Sequence, residues 1–471
     1  MKSKTPEFQI GKAFREITHA YPVWLYGYSA RNRKSEDVSE PLYIGCLSIS
    51  DRTRTVLIFT CDLLGIESHI CETLYEMIEE QTGIGFPDVL IACSHTHFAP
   101  GLHQGVLSSP ELGIVEPDET FVEDFKIKML EAARESLRRP LPVQLKTTRV
   151  LAPQAVFNRR TLKADGNVQT NFLFPEDADN YTFSKTDHQI TVLRFVDDAG
   201  TQAMLINFGC HPVTGGNNHY AISSDYQYYL RNYLTERYKC PVFFTLGAAG
   251  DTVPINRYGD SRKLLGNLLA NSIILAERTY TSEKFAEVKS DFLTLPVRTI
   301  FDTESHTART DFERAKTRLI TLQNSAEFEQ NSDAYTAEAT DFSHKLIALK
   351  RSRLYPDNSY SIKIQFIQIG KTILVGYPFE VLSEISLKMK EHYPNSVLVS
   401  CSGGYQGYLP LKYEYDRGGY EATIWSTHFE RGVGDRLLHA VLGNPFLKRQ
   451  SSDFSTDLLT ESPERKTGGI Q

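Results

Sequence analysis

Four apolar runs in this chain end in small polar clusters: VLIACSHTHFAPG, LINFGCHPVTGG, VFFTLGAAGDTVP and ILVGYPFEVLSE. Between them they supply His95, His97, His211, Asp251 and Glu380. Imidazoles and a carboxylate are ligand types that suit zinc. In open α/β sheets, sites form beyond the carboxyl ends of strands, so such side chains can converge although they are far apart in sequence. His95 and His97 form an H-x-H pair. On a strand, residues i and i+2 share a face, which would bring both imidazoles to one ion. The same pair also serves as two histidines hydrogen-bonding in a loop, and a histidine before proline, as His211 is, is as readily structural. Ser94, Pro100 and Gly101 favour a shaped turn after the first strand.

The elements that must hold these residues alternate between strand and helix. YIGCLSI and TVLIFTCDLL read as two strands joined around Asp51, and ITVLRFVD and AMLINFGCH as a pair around the 197–201 turn. SIKIQFIQIG and KTILVGYPFE pair about Gly370. Helical spacing marks roughly 68–82, 119–139, 224–238 and 261–280, and VLSEISLKMKEHY after Pro378. The implied class is α/β, with a mixed β-sheet core flanked by helices. A length of 471 residues allows about three domains, and equally one large catalytic domain with insertions. The expected layout is one catalytic domain over 1–446, an exposed helical insertion at 304–352, and a polar, disordered tail at 447–471.

Composition narrows the function classes. With 51 Lys plus Arg against 58 Asp plus Glu and no basic block, nucleic acid is not the expected partner. No run approaches the roughly 18 apolar residues of a membrane-spanning helix. MKSKTPEFQIGKAFREIT has no apolar leader segment, so the expected location is the cytoplasm, or outside the cell if a leader has been trimmed. Cys46, Cys61, Cys71, Cys93, Cys210, Cys240 and Cys401 are odd in number, without a CxxC, and read as reduced, buried thiols.

SHTHFAPG resembles the SHTHSGPG element of the neutral/alkaline non-lysosomal ceramidase family. GCHPV is similar to that family's THPT element, FNRR at 157–160 to its NRS segment, and YPFE to its PGE element. YQGYLPLKYEYDRGGYEA resembles its Y-V-T-T…Y-E-G stretch, with two tyrosines twelve apart and an acid after the second. The order and rough spacing hold from about residue 10 to 445. The resemblance implies one Zn²⁺ held by His95, His211, Glu380 and Tyr408. It implies proton exchange or ligand orientation at His97, a substrate-site arginine at Arg159, a tyrosine near the scissile amide at Tyr420, and a supporting role for Asp251.

Two departures qualify that implication. The family's ceramidases carry a serine in G-D-V-S-P, whereas this chain reads Gly250-Asp251-Thr252-Val253-Pro254. Val253 has no nucleophile and Thr252 is one position off, so metal-activated water is the expected attacker. The chain also stops soon after GVGDRLLHAVLGNPF, where the secreted ceramidases continue into a β-rich domain. The resulting expectation is a zinc-dependent hydrolase of an amide (N-acyl) or related acyl bond, acting on a small-molecule or lipid-like substrate that need not be ceramide. The alternatives are a non-catalytic binding protein on the same fold, which Val253 favours, and an amidohydrolase-type metallohydrolase, which shares an H-x-H after a strand.

Overall fold

The computed structural model describes residues 7–452, apart from 20–21, 29–30, 32, 103–118, 301–305, 327, 329–331, 355–357 and 424–425. Two β-sheets lie face to face, and helices cover their outer faces. Edge to edge, the large sheet runs Val242–Leu246, Gly200–Phe208, Gln189–Asp197, Leu141–Leu151, Phe8–Glu16, Tyr43–Ser50, Thr55–Cys61 and Val89–Cys93. Thr281–Ser282 adds to Leu141–Leu151. Its middle is antiparallel and each edge finishes on a parallel pair. The smaller sheet runs Val288–Arg298, Ser359–Ile369, Thr372–Gly376 and Ser396–Val399, with the last two parallel. This is the mixed α/β architecture that the interleaved pattern implied. An amidohydrolase barrel is not present among the described residues, because the large sheet has two ends and is mainly antiparallel.

Alternation explains why the strands read as unbroken apolar runs. Successive side chains point to opposite faces, and here both faces are covered. In Thr55–Cys61, Leu57, Phe59 and Cys61 meet the helix layer, while Val56 and Ile58 meet the smaller sheet. Each parallel pair of these two sheets needs a crossover. Helices Ser68–Thr82, Tyr226–Tyr238 and Ser383–His392 supply one apiece. All seven cysteines are free and buried.

Three of the long strands escape the sequence reading: Phe8–Glu16, Leu141–Leu151 and Val288–Arg298. Each mixes charged residues among its apolar ones. The last is half-exposed at a sheet edge and carries Pro296, which an edge tolerates.

The 304–352 segment folds as two helices in mutual contact, His306–Gln323 and Asp333–Leu354. It is less exposed than its polarity implied. Phe312, Ala315, Leu319, Tyr335, Ala339, Phe342 and Leu346 form a buried seam with Tyr26 and Leu64. Of the segment expected as a polar tail, residues 447–452 belong to the helix Pro445–Ser452, in which Phe446 and Leu447 are buried. Residues 453–471 lie outside the described part of the chain. Among the described residues no helix is long and apolar enough to cross a membrane.

Candidate metal centre

Three of the candidate ligands stand just beyond the carboxyl end of a strand. His95 follows Val89–Cys93, His211 follows Gly200–Phe208, and Glu380 follows Thr372–Gly376. Glu380 then opens a two-residue strand paired in parallel with Tyr408–Leu409, which makes Glu380 and Tyr408 direct register partners.

His95 and His97 are not on the strand, as the i, i+2 reading supposed. The strand stops at Cys93, and His95 takes a left-handed φ of 65°, unusual for a residue with a Cβ. The His95 N–H donates to Leu63 O at 2.8 Å, which holds the turn. That turn, rather than strand alternation, brings Nε2 of His97 to 3.4 Å from Nε2 of His95. Gly27 makes room for it: at φ 107° this position favours glycine, and a Cβ there would lie 2.4 Å from Cγ of His97.

The protonation pattern follows from the partners. A carbonyl oxygen only accepts, so Nδ1 of His95 donates to Leu64 O at 2.7 Å and Nδ1 of His211 donates to Ala249 O at 2.8 Å. Each neutral ring then turns the lone pair of Nε2 toward Oε2 of Glu380, at 3.1 Å from His95 and 3.3 Å from His211. Oε2 of Glu380 and Nε2 of His211 have no hydrogen-bond partner although both are buried. Lone pairs facing one another in a dry pocket need a cation between them. A backbone carbonyl behind each imidazole is also the support that ligating histidines usually have. The buried group His95, His97 and His211, whose ligand atoms lie within 4.8 Å of one another, could hold a metal ion.

The charges are strongly perturbed. Burial raises the Glu380 carboxyl, but His95, His211 and the Tyr405 hydroxyl together hold it far below the usual carboxylate range. Burial opposes charge on His95, but the bare carboxylate of Glu380, and then Cys401, push its pKa well above the ordinary value, so Nε2 holds a proton unless a metal ion takes that place and leaves the ring neutral. Burial, together with His95, His211, Arg31 and Arg257, drives His97 well below it, so this ring is neutral.

No protein-family model and no curated protein matches the chain in sequence. Solved structures do match in shape. The crystal structure of neutral ceramidase from Pseudomonas aeruginosa superposes with a TM-score of 0.70 at 16% identity, covering 96% of this chain and 75% of that one. A ceramidase structure complexed with C2 gives 0.72 at 16% identity, covering 95% and 76%. The chain has a neutral ceramidase-like fold. At this identity the shared property is the fold, and chemistry has to be argued from the site.

Within this ceramidase-like fold, Arg159 is 3% exposed and held through Nε and Nη2. Its Nε donates to Glu421 at 2.6 Å, and Nη2 donates to Gly250 O at 2.9 Å and to the Tyr408 hydroxyl at 3.0 Å. The Tyr408 ring stacks parallel to His211 at 6.5 Å, and Tyr420 meets Tyr408 edge-on at 5.6 Å. Burial and then Glu380 push the Tyr408 phenol well above its usual pKa. Asp251 stands apart from the imidazoles. Its oxygens accept from Ser383 N, Ser383 Oγ and Asn158 Nδ2, so it ties the glycine-rich turn to the start of helix Ser383–His392. Burial lifts its carboxyl to about 6. Val253 is buried with Phe157 and Val213, and Thr252 donates its hydroxyl to Gly209 O and Ala248 O.

Sequence reasoning missed two supporting groups. Tyr405 donates to Oε1 of Glu380 at 2.6 Å. Glu421 is fully buried and joins Arg159 to Arg160, which also reaches Glu414. The acid after Tyr420 was visible as part of a motif, but nothing local says that it holds two arginines some 260 residues away.

Proposed function

We propose that the chain is a zinc-dependent hydrolase that cleaves an amide (N-acyl) or related acyl bond with metal-activated water. One observation carries the reading: the acceptor atoms Nε2 of His95, Nε2 of His211 and Oε2 of Glu380 meet at 3.1 and 3.3 Å with their other ring nitrogens tied to carbonyls. Two imidazoles and a carboxylate are a common catalytic zinc set, and Tyr408, the register partner of Glu380, would be a fourth ligand. The fold's solved neighbours are ceramidases, which supports amide hydrolysis as the reaction class. When bound, zinc supplies Lewis acidity and lowers the pKa of water toward about 7.

The chain's own groups then divide the work. His97 differs from the other two imidazoles, because its Nδ1 is tied to no carbonyl and its Nε2 lies 3.4 Å from Nε2 of His95. That suits a proton carrier: it takes a proton from the attacking water and returns it to the leaving nitrogen as the C–N bond breaks. Arg159, held rigid by Glu421 and Gly250 O, and the phenol of Tyr420 face the oxygen on which charge develops. A side-chain nucleophile is disfavoured, since Val253 is apolar and the Thr252 hydroxyl is spent on two carbonyls. The same Val253 favours the second reading, a binding protein without catalysis.

Metal analysis of the purified chain, with a hydrolysis screen over N-acyl lipids, N-acyl amino acids and simple esters, tests the proposal. Stoichiometric zinc and turnover of at least one N-acyl compound are expected, and His95→Ala should abolish both. Absence of zinc, with no hydrolysis after zinc is added, would sink it in favour of the binding protein.

A further inference from the structure

Six arginines are buried among the described residues: Arg31, Arg159, Arg160, Arg231, Arg257 and Arg262. Four of them pair with buried acids: Arg159 and Arg160 with Glu421, Arg231 with Asp62, and Arg262 with Glu40. The two without a carboxylate partner among the described residues flank one tyrosine beside His97.

Arg31 is fully buried and donates to the carbonyls of Tyr26, His97 and His219. Its Nε has no partner, and its guanidinium lies over the Tyr28 ring, 4.8 Å from the centroid. That ring meets His97 edge-on at 4.8 Å. Arg257 stands at the Tyr28 hydroxyl, to which Nη2 donates at 2.9 Å. Its Nε donates to Val213 O at 3.2 Å and its Nη1 to Phe172 O at 2.6 Å. A guanidinium has five N–H groups, so two remain on Arg257. The acids of this region are taken: Asp225 accepts from Thr214 and Tyr226, and Glu40 from Ser223, Tyr229 and Arg262.

Carbonyls and ring faces offset part of the cost of burying a cation, but a charge held without a counter-charge is expensive. Two side by side, one ring away from the proposed proton carrier, create a place where an anion is stabilised. The apolar surface next to it fits a particular kind of anion. Phe172, whose carbonyl receives Arg257, is 45% exposed, and its ring meets Tyr420 at 5.7 Å. Leu173 and Phe174 beside it are also exposed. Phe172 therefore joins the two places, with its carbonyl at Arg257 and its ring at Tyr420, and it brings apolar surface beside a cation that has no carboxylate partner among the described residues.

We infer that Arg257, backed by Arg31 and Tyr28, is a carboxylate subsite on the amine side of the scissile bond, and that the substrate class is N-acyl amino acids. The planar guanidinium matches a carboxylate in shape and charge. The inference rests on the amide-hydrolase reading and specifies its substrate. Water attacks the acyl carbon, a C–O bond forms, the C–N bond breaks, and the proton passes to the leaving nitrogen. The products are a fatty acid and a free amino acid.

Binding is the test that does not depend on turnover. Calorimetry on the full zinc-loaded chain would compare N-lauroylglycine with its neutral carboxamide, N-lauroylglycinamide. The carboxylate should bind at least about tenfold tighter, as a charge-assisted contact to a desolvated guanidinium provides. Arg257→Gln should bring the two ligands to equal affinity, while Arg194→Gln, which breaks a surface pair, should keep the preference. Should Arg257→Gln fail to fold, Arg257→Lys, which keeps the charge and loses the planar fork, takes its place and should shrink the preference; an undiminished preference would assign the carboxylate to the metal and overturn the subsite. Equal affinities, or no binding of either compound, overturn the subsite and leave the amidase reading to its own assay. A carboxylate preference with no hydrolysis of any N-acyl compound keeps the subsite and sinks the amidase reading.

Discussion

His95, His211 and Glu380 are fixed by hydrogen bonds to the main chain and to Tyr405, each within a few residues of a strand end. The helical pair His306–Gln323 and Asp333–Leu354 is fixed by other means. An apolar seam anchors it on Tyr26 and Leu64, and the ion pairs of Arg318 with Glu338 and Asp341 lie at its surface. The two regions touch at the site: Leu64 gives its carbonyl to His95 and its side chain to the seam, and His344 meets Tyr420 at 6.1 Å. Directional bonds fix atoms to fractions of an ångström, as ligand positions require. Apolar contact fixes a surface without fixing an orientation. The helical pair is thus expected to tolerate a change of shape better than the imidazole–carboxylate cluster does.

Four substitutions test that contrast, beginning with the largest expected effect. Phe342→Ala empties the centre of the seam, where Phe342 is fully buried against Phe312, and should cost about 3–5 kcal/mol locally. Hydrogen exchange should rise over 306–354 while zinc affinity holds; simultaneous loss of zinc would mean that the two regions are not separable. Tyr405→Phe deletes one hydrogen bond to Glu380 and should weaken zinc by roughly 10–100-fold, measured by chelator competition. Unchanged affinity would show that Glu380 needs no brace.

The third probe is pH. Burial pulls the His344 ring down to about 4 from an ordinary 6.5. The unfolded chain therefore binds the proton more readily, so the stability His344 contributes is complete above about 6.5 and is lost as pH falls toward 4. His344→Gln should reduce the drop in thermal midpoint across that window. His219, pulled down to about 4 by burial and Arg262, keeps its own share. An unaltered curve would place His344 in water rather than against Tyr420. Thr252→Ala should do least: the hydroxyl bonds to backbone carbonyls, and turnover should barely change. A large loss of rate with zinc still bound would return the nucleophile to a side chain.

Legibility varied with how local the cause was. The helix Ser68–Thr82 was readable to the residue, because its apolar spacing and the glycine that ends it sit in one segment. Phe8–Glu16 was not, because its partners Tyr43–Ser50 and Leu141–Val143 decide that it is a strand. The same holds in the site. Strand-end clusters marked His95, His211 and Glu380 as candidates, whereas the brace at Tyr405, and the lack of a carboxylate partner for Arg257 among the described residues, depend on which segments meet. Asp251 lies between the two: the resemblance implied a supporting role, and only the packing shows that its oxygens go to Ser383 and Asn158.

By itself the sequence determined the residue types at the strand ends, the α/β alternation and the absence of a nucleophile at Val253, since these are properties of short segments. Tertiary structure alone decided that His95 turns through φ 65° to meet His97, that Glu380 stands beside Tyr408, and that Arg31 and Arg257 are buried where the described acids serve other partners. Those outcomes depend on the distance between atoms far apart along the chain, and that distance is set by how two sheets and their helices pack.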